Sequence, residues 1–201
     1  MDFGKFYGRM AIKALAALPV FALPMAAQRI LRGWTVAFPP HHIAGNLYYV
    51  GSEDLASYLN VTPEGDILIN SSLKESVPLI KQSVEQLGFH FNDIKILLIS
   101  HAHYDHAEGS EMLLKMTGAK YYVMDADVPT IESGGKEDFK YGRDRWAHFP
   151  AVKVDRVLHD GDKVELGGAV LLVTPRERPL GRWTKQRAAR SCMSSSLVVR
   201  M

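Results

Sequence analysis

The sequence predicts an α/β layered fold, with helices packed on a mostly mixed β-sheet, and three observations carry that prediction. Strand-like segments rich in aromatic and β-branched residues come first, at 47–50, 55–61 and 67–70. Helical periods then alternate with short apolar strands, 74–87 before 94–99 and 110–116 before 121–124. Two further strands at 163–166 and 169–173 are separated by the turn residues Gly167 and Gly168. Hairpins followed by helix–strand alternation is the order of helices layered on a mixed sheet. The 201 residues suffice for one good-sized domain with a real core. No internal repeat interrupts the reading.

Taken in order, residues 29–42 read as an irregular arm, because Pro39 and Pro40 force an extended path. Pro63-Glu64-Gly65-Asp66 is a turn feeding the strand at 67–70. Ser71 or Ser72 is expected to cap the helix over 74–87, whose Val77, Ile80, Val84 and Leu87 form one stripe before Gly88 ends it. The apolar strand at 94–99 follows. The helix at 110–116 is expected to turn Met112, Leu113 and Met116 inward and to stop at Gly118. Asp125 is expected to cap a short helix ending at Gly134 and Gly135. Residues 136–150 are charged and aromatic without a period, and read as a loop over the site. Residues 152–158 form another expected strand, closed by the turn His159-Asp160-Gly161-Asp162.

Charge is uneven along the chain. Residues 1–173 carry 17 Lys and Arg against 21 Asp and Glu, whereas residues 174–201 carry 7 against 1. That basic tail has Trp183 as its only aromatic residue and no recognition motif, so nucleic acid is not an expected partner. The single cysteine, Cys192, excludes an internal disulfide framework. Lys5, Arg9 and Lys13 precede the apolar run 14–27, broken by Pro19 and Pro24. This is a basic region, a short apolar region and a small-residue exit, read as an export signal over residues 1–27. The mature chain is then expected in the periplasm and off the membrane. The sequence leaves the oligomeric state open.

The chemistry concentrates in one place. Ile96-Leu97-Leu98-Ile99 runs into Ser100-His101-Ala102-His103-Tyr104-Asp105-His106, three histidines and an aspartate at the end of a buried strand. Imidazole with carboxylate suits a borderline cation such as zinc. The alternating His101 and His103 can grip one ion, and Asp105 and His106 can reach a second. An ion with an open position lowers the pKa of bound water to about 7. Asp105 is the expected catalytic carboxylate, ligating an ion and orienting the nucleophile. No serine or cysteine nucleophile is needed.

His101-x-His103-x-Asp105-His106 resembles the signature of the metallo-β-lactamase superfamily, whose fold is an αββα sandwich. The segments 43–51, 63–70, 117–128 and 152–162 resemble subclass B3 metallo-β-lactamases, so the likeness spans residues 34–173. It implies His101 and His103 on a first zinc, and Asp105 and His106 on a second. It also implies attack of a bridging hydroxide on the carbonyl of a small-molecule β-lactam. The short motif alone is shared with thioester and lactone hydrolases.

The resemblance stops near residue 174. The family continues into a Thr-Pro-Gly-His-Thr loop and a later histidine, which complete the two zinc sites. Here Thr174-Pro175 leads to Arg176-Glu177-Arg178, and no histidine follows His159. Each ion keeps two protein ligands, and the arginines would repel a cation. The expected organisation is thus a leader at 1–27, an incomplete domain at 28–174 made mainly of the sandwich's N-terminal half, and an aberrant basic tail at 175–201. A reading-frame shift near residue 173 is one account of the tail. Such a chain is expected to expose an apolar sheet face, to bind zinc weakly and to turn over β-lactams poorly. A non-catalytic remnant that binds a partner through the tail is the reading from another functional class.

Overall fold

The computed structural model describes residues 33–175 and 197–200; the expected leader, residues 176–196 of the basic tail and Cys192 lie outside the described residues. Seven strands form the main sheet in chain order: β1 His41–Ala44, β2 Leu47–Tyr49, β3 Tyr58–Asn60, β4 Asp66–Ile69, β5 Ile94–Leu98, β6 Lys120–Met124 and β7 Arg156–Leu158. The first four pair antiparallel through short turns. From β4 to β7 the pairing is parallel, because helices carry the chain back across the sheet. These are α1 Ser76–Gln86 after β4, α3 Ser110–Thr117 after β5 and α4 Val128–Glu132 after β6. A four-residue helix, α2 Tyr104–Ala107, sits in the ligand loop.

The central strands of the main sheet are buried on both faces. On one, Val77, Ile80 and Val84 of α1, Leu113 of α3 and Ile131 of α4 pack on Leu59, Leu68, Leu97, Tyr121 and Val123. Each such side chain contributes about 2 kcal/mol by leaving water. On the other, Ile67, Ile69, Ile96, Leu98, Met124 and Leu158 pack on Val164, Leu171 and Val173. Those last three belong to a second sheet of β8 Lys163–Leu166, β9 Ala169–Pro175 and β10 Leu197–Arg200, in the order β10-β9-β8. Helices, sheet and facing sheet are three layers of an αββα sandwich.

This corrects the expected bare sheet face. Ile67 and Leu98 are fully buried and Leu158 is 1% exposed, because β8 and β9 already lie across them. Leu197 to Arg200 pair antiparallel with Leu172 to Pro175.

Other elements differ at their ends. The arm's last residues, His41 and His42, pair with Tyr49 and Tyr48, and His41 stacks on Tyr49. The strand expected over 55–61 shortens to β3, since Ser52 and Leu55 close a turn through the Ser52 N–H to Leu55 carbonyl bond at 3.0 Å. The strand expected over 152–158 shortens to β7, because Val154 N–H turns to the Glu132 carboxylate. Neither Ser71 nor Ser72 caps α1; Glu75 holds the cap position without a side-chain bond, and both serines are buried in other contacts. Nor does Asp125 cap α4, where Asp127 precedes the helix and Asp125 accepts the Ala126 N–H. In α3, Leu113 is buried, Met112 half-buried, and Met116 faces out at 38% exposure. Gly118 stops α3 with φ +70°, the left-handed cap that favours glycine. No helix among the described residues is long and apolar enough to cross a membrane.

Candidate metal centre

The ligand loop leaves the carboxyl end of β5, where ligands of open parallel sheets gather. Three residues just past the end of the neighbouring strand, Asn70, Ser71 and Ser72, shape its path. Asn70 sits at φ +67°, donates its backbone N–H to the Leu98 carbonyl at 2.8 Å, and accepts the Ser100 N–H on its side-chain oxygen at 2.8 Å. Ser71 and Ser72 both donate backbone N–H groups to the carbonyl of His106 at 3.2 Å, and the Ser71 hydroxyl joins them. The carbonyl of His103 accepts from His106 and Ala107, which starts α2. Gly109 then passes so close that a Cβ would lie 2.6 Å from the Ser71 carbonyl oxygen and 2.7 Å from Val77. Asp105 and His106 therefore sit on a short helix clamped at both ends, and His101 and His103 lie in the loop that enters it.

His101, Asp105 and His106 converge, one donor atom from each lying within 4.8 Å of the others. The rings of His101 and His106 are 3.9 Å apart, and His106 Nε2 is 3.6 Å from Asp105 Oδ2. The Ser100 hydroxyl lies 3.4 Å and 3.3 Å from the Nδ1 atoms of His101 and His106, bracing both rings from behind. Burial holds the His106 imidazole below the ordinary histidine range, against the opposing pull of Asp105. Burial, with Asp105 next, pushes the Tyr104 phenol up to about 12.

His103 stands beside this trio rather than in it. Its ring meets that of His101 edge-on at 4.9 Å, and its Nδ1–H donates to Asp138 Oδ2 at 2.6 Å. The structure thus groups His101 with Asp105 and His106, whereas the sequence reading pairs it with His103. Two imidazoles and a carboxylate fit a borderline divalent cation, and the one buried enough to be neutral can donate a lone pair. Among the described residues no other trio of histidine, cysteine or acidic side chains converges in this way. The remaining histidines are elsewhere: His41 and His42 bond the carbonyls of Pro39 and Gly45, His90 precedes the turn at Phe91–Asp93, His148 bonds the carbonyl of Gly142, and His159 pairs with Asp162 at 3.7 Å.

A cavity of about 200 Å³ opens on the site, lined among others by His101, His103, Thr130, Asp138 and Phe139. The loop over residues 136–150 forms one wall, as the sequence reading expects. Phe139 lies 5.6 Å from the His103 ring and Tyr141 5.3 Å from it, and Trp146 packs on Tyr104 at 5.0 Å. Trp146 stays 63% exposed and Phe139 48%, so the wall presents apolar rings to solvent.

Sequence reasoning missed Asn70, Ser100 and Asp138 as supports of the ligands. A lone Asp in a charged loop gives no local signal, and Asp138 is 35 residues from the ring it meets. Asn70 carries a faint one, since asparagine at a strand end tolerates the left-handed conformation.

Known proteins resemble this chain along much of its length. A family model described as the metallo-beta-lactamase superfamily matches residues 55–179. The chain is similar to the FEZ-1 metallo-beta-lactamase of Legionella gormanii, with 62% identity over 69% of this chain and 53% of that one, at a TM-score of 0.68. It is also similar to the GOB-18 enzyme of Elizabethkingia meningoseptica, with 41% identity, covering 83% of this chain and 57% of that one, at 0.68. A third likeness is to the class B3 di-zinc metallo-beta-lactamase LRA-12 from an Alaskan soil metagenome, with 34% identity, covering 82% and 57%, at 0.72. The chain spans 53% to 57% of the length of these relatives.

Proposed function

Because this chain belongs to the metallo-beta-lactamase superfamily, we propose that it is a zinc hydrolase opening the amide of a β-lactam ring, exported to the periplasm. The observation that carries this reading is the convergence of His101, Asp105 and His106, with His101 also lining an open cavity. His101, Asp105 and His106, with His103 beside them, are the residues that would hold zinc. Zinc bound there would acidify a water molecule and polarise the carbonyl of the substrate.

The chain's own residues do the rest. Ser100 braces the rings of His101 and His106, so their positions are set before an ion arrives. The Asp105 carboxylate lies 3.6 Å from the His106 ring nitrogen and can accept a hydrogen bond from the attacking water, fixing its direction. Phe139 and Trp146 offer an apolar surface for the substrate's side group. The relatives whose names carry β-lactamase activity favour this substrate over a thioester or lactone.

Turnover of nitrocefin and of a carbapenem, beside a thioester control, tests the reading on the full chain with added zinc. Slow β-lactam hydrolysis is expected, abolished by chelation and by Asp105→Asn. Thioester hydrolysis with no β-lactam turnover contradicts the substrate assignment.

A further inference from the structure

The carboxylate of Asp138 makes three bonds at once. Oδ2 accepts the ring N–H of His103 at 2.6 Å. Oδ1 accepts the backbone N–H groups of Lys140 at 2.7 Å and Tyr141 at 2.9 Å. The side chain is 4% exposed, so these bonds form out of water, where an acceptor left without donors is costly. The two amide bonds turn the chain tightly at 138–141, and that turn is what sets Phe139 and Tyr141 against the His103 ring. One buried carboxylate is therefore both the hinge pin of the aromatic wall and the partner of a metal-ligand ring.

We propose that Asp138 is a positioning residue that locks His103 in one tautomer and orientation and couples ion capture to the order of the loop over 136–150. The inference rests on the metal-site reading and adds to it a mechanical link between the ion and the substrate wall. A histidine's free nitrogen is set for a cation by the bond its other nitrogen makes. Here that bond also holds the loop. Loss of the bond must then disturb both the ring and the wall.

Asp138→Asn and Asp138→Ala separate the two roles. In the asparagine variant one oxygen remains, and two backbone amides outweigh one ring N–H in the competition for it. The turn is kept and the side-chain amide then faces the ring as a donor, which drives His103 to the other tautomer. In the alanine variant both functions go.

The first measurement needs no metal. Long-range 1H–15N spectra of the metal-free full chain, taken above the histidine titration range, read the tautomer of His103. The wild type is expected as Nδ1–H and Asp138→Asn as Nε2–H. Trypsin cleavage after the exposed Lys140, Arg143 and Arg145 reads the loop, and only Asp138→Ala is expected to speed it. The second measurement is cobalt binding followed by its visible spectrum, with affinity expected to fall about 10- to 100-fold in both variants. An unchanged tautomer in Asp138→Asn, or cobalt bound as tightly and with the same spectrum, overturns the proposal. A wild type that shows the Nδ1–H ring and a protected loop but takes up no cobalt overturns the metal reading and the coupling to it, leaving the ring lock established.

Discussion

The side-chain oxygen of Asn70 accepts the backbone N–H of Ser100 at 2.8 Å, tying the end of β4 to the first residue of the ligand loop. Asn70 is 4% exposed and left-handed at φ +67°, so one residue supplies both a buried acceptor and a backbone bend. The replacement Asn70→Ala leaves the Ser100 N–H without its partner and forces alanine into the left-handed region. A loss on the order of 3 kcal/mol is expected in urea unfolding. Asn70→Gly removes the bond but tolerates the bend, and is expected to cost about 1 kcal/mol less.

Gly109 is where the ligand helix leans on the β4 exit. A Cβ there would meet backbone oxygens of Ser71 and Leu73 at 2.6 and 2.8 Å, atoms that cannot swing aside. The Gly109→Ala change is expected to destabilise the chain by about 2–3 kcal/mol and to weaken metal uptake, as α2 shifts. Paired urea and metal titrations check both effects.

Tyr121 is fully buried beneath the site, and its oxygen accepts the Ser110 hydroxyl at 3.0 Å, which also meets the Ser71 hydroxyl at 3.0 Å. Tyr121→Phe strips that acceptor from a buried chain of hydroxyls. Stability is expected to fall by about 1 kcal/mol with metal affinity unchanged. A fall in affinity of more than tenfold would move Tyr121 from the scaffold into the support of the ligands.

Asp155 ties β6 to the chain entering β7. The bond from the Tyr121 N–H, and after it the Lys120 ammonium, hold its carboxyl below the ordinary aspartate range. A lowered folded value gives stability that is full above the unfolded pKa of about 3.9 and is lost as pH falls through the folded value. The stability gap between wild type and Asp155→Asn is therefore expected to shrink on acidification below about pH 4. Urea titrations at neutral and acid pH measure it.

Much of the scaffold is legible because it depends on local pattern. The stripe of Val77, Ile80 and Val84 faces the core as its spacing demands, and the apolar run before Ser100 is the buried β5. The four candidate ligands are legible for the same reason, since strand end and short helix lie within a few residues. What local pattern misreads is settled by contacts distant in sequence. Ser71 has the chemistry of a cap, yet the His106 carbonyl 35 residues away takes its hydroxyl. Met116 has the hydropathy of a core residue, but Leu113 already fills the space under α3. The sheet face expected to be bare is covered, because β8 and β9 lie across Ile67 and Leu98, a packing that no local pattern encodes. His103 lies outside the trio of His101, Asp105 and His106, and its bond to Asp138, 35 residues on, has no local signal.

Zinc uptake by the full chain, measured by equilibrium dialysis beside His101→Ala, Asp105→Ala and His106→Ala, bears most directly on the metal centre. Zinc is expected to bind the wild type, with affinity lowered at least about tenfold in each variant, since each removes one converging donor. Equal binding by all four proteins, or none by the wild type, contradicts it.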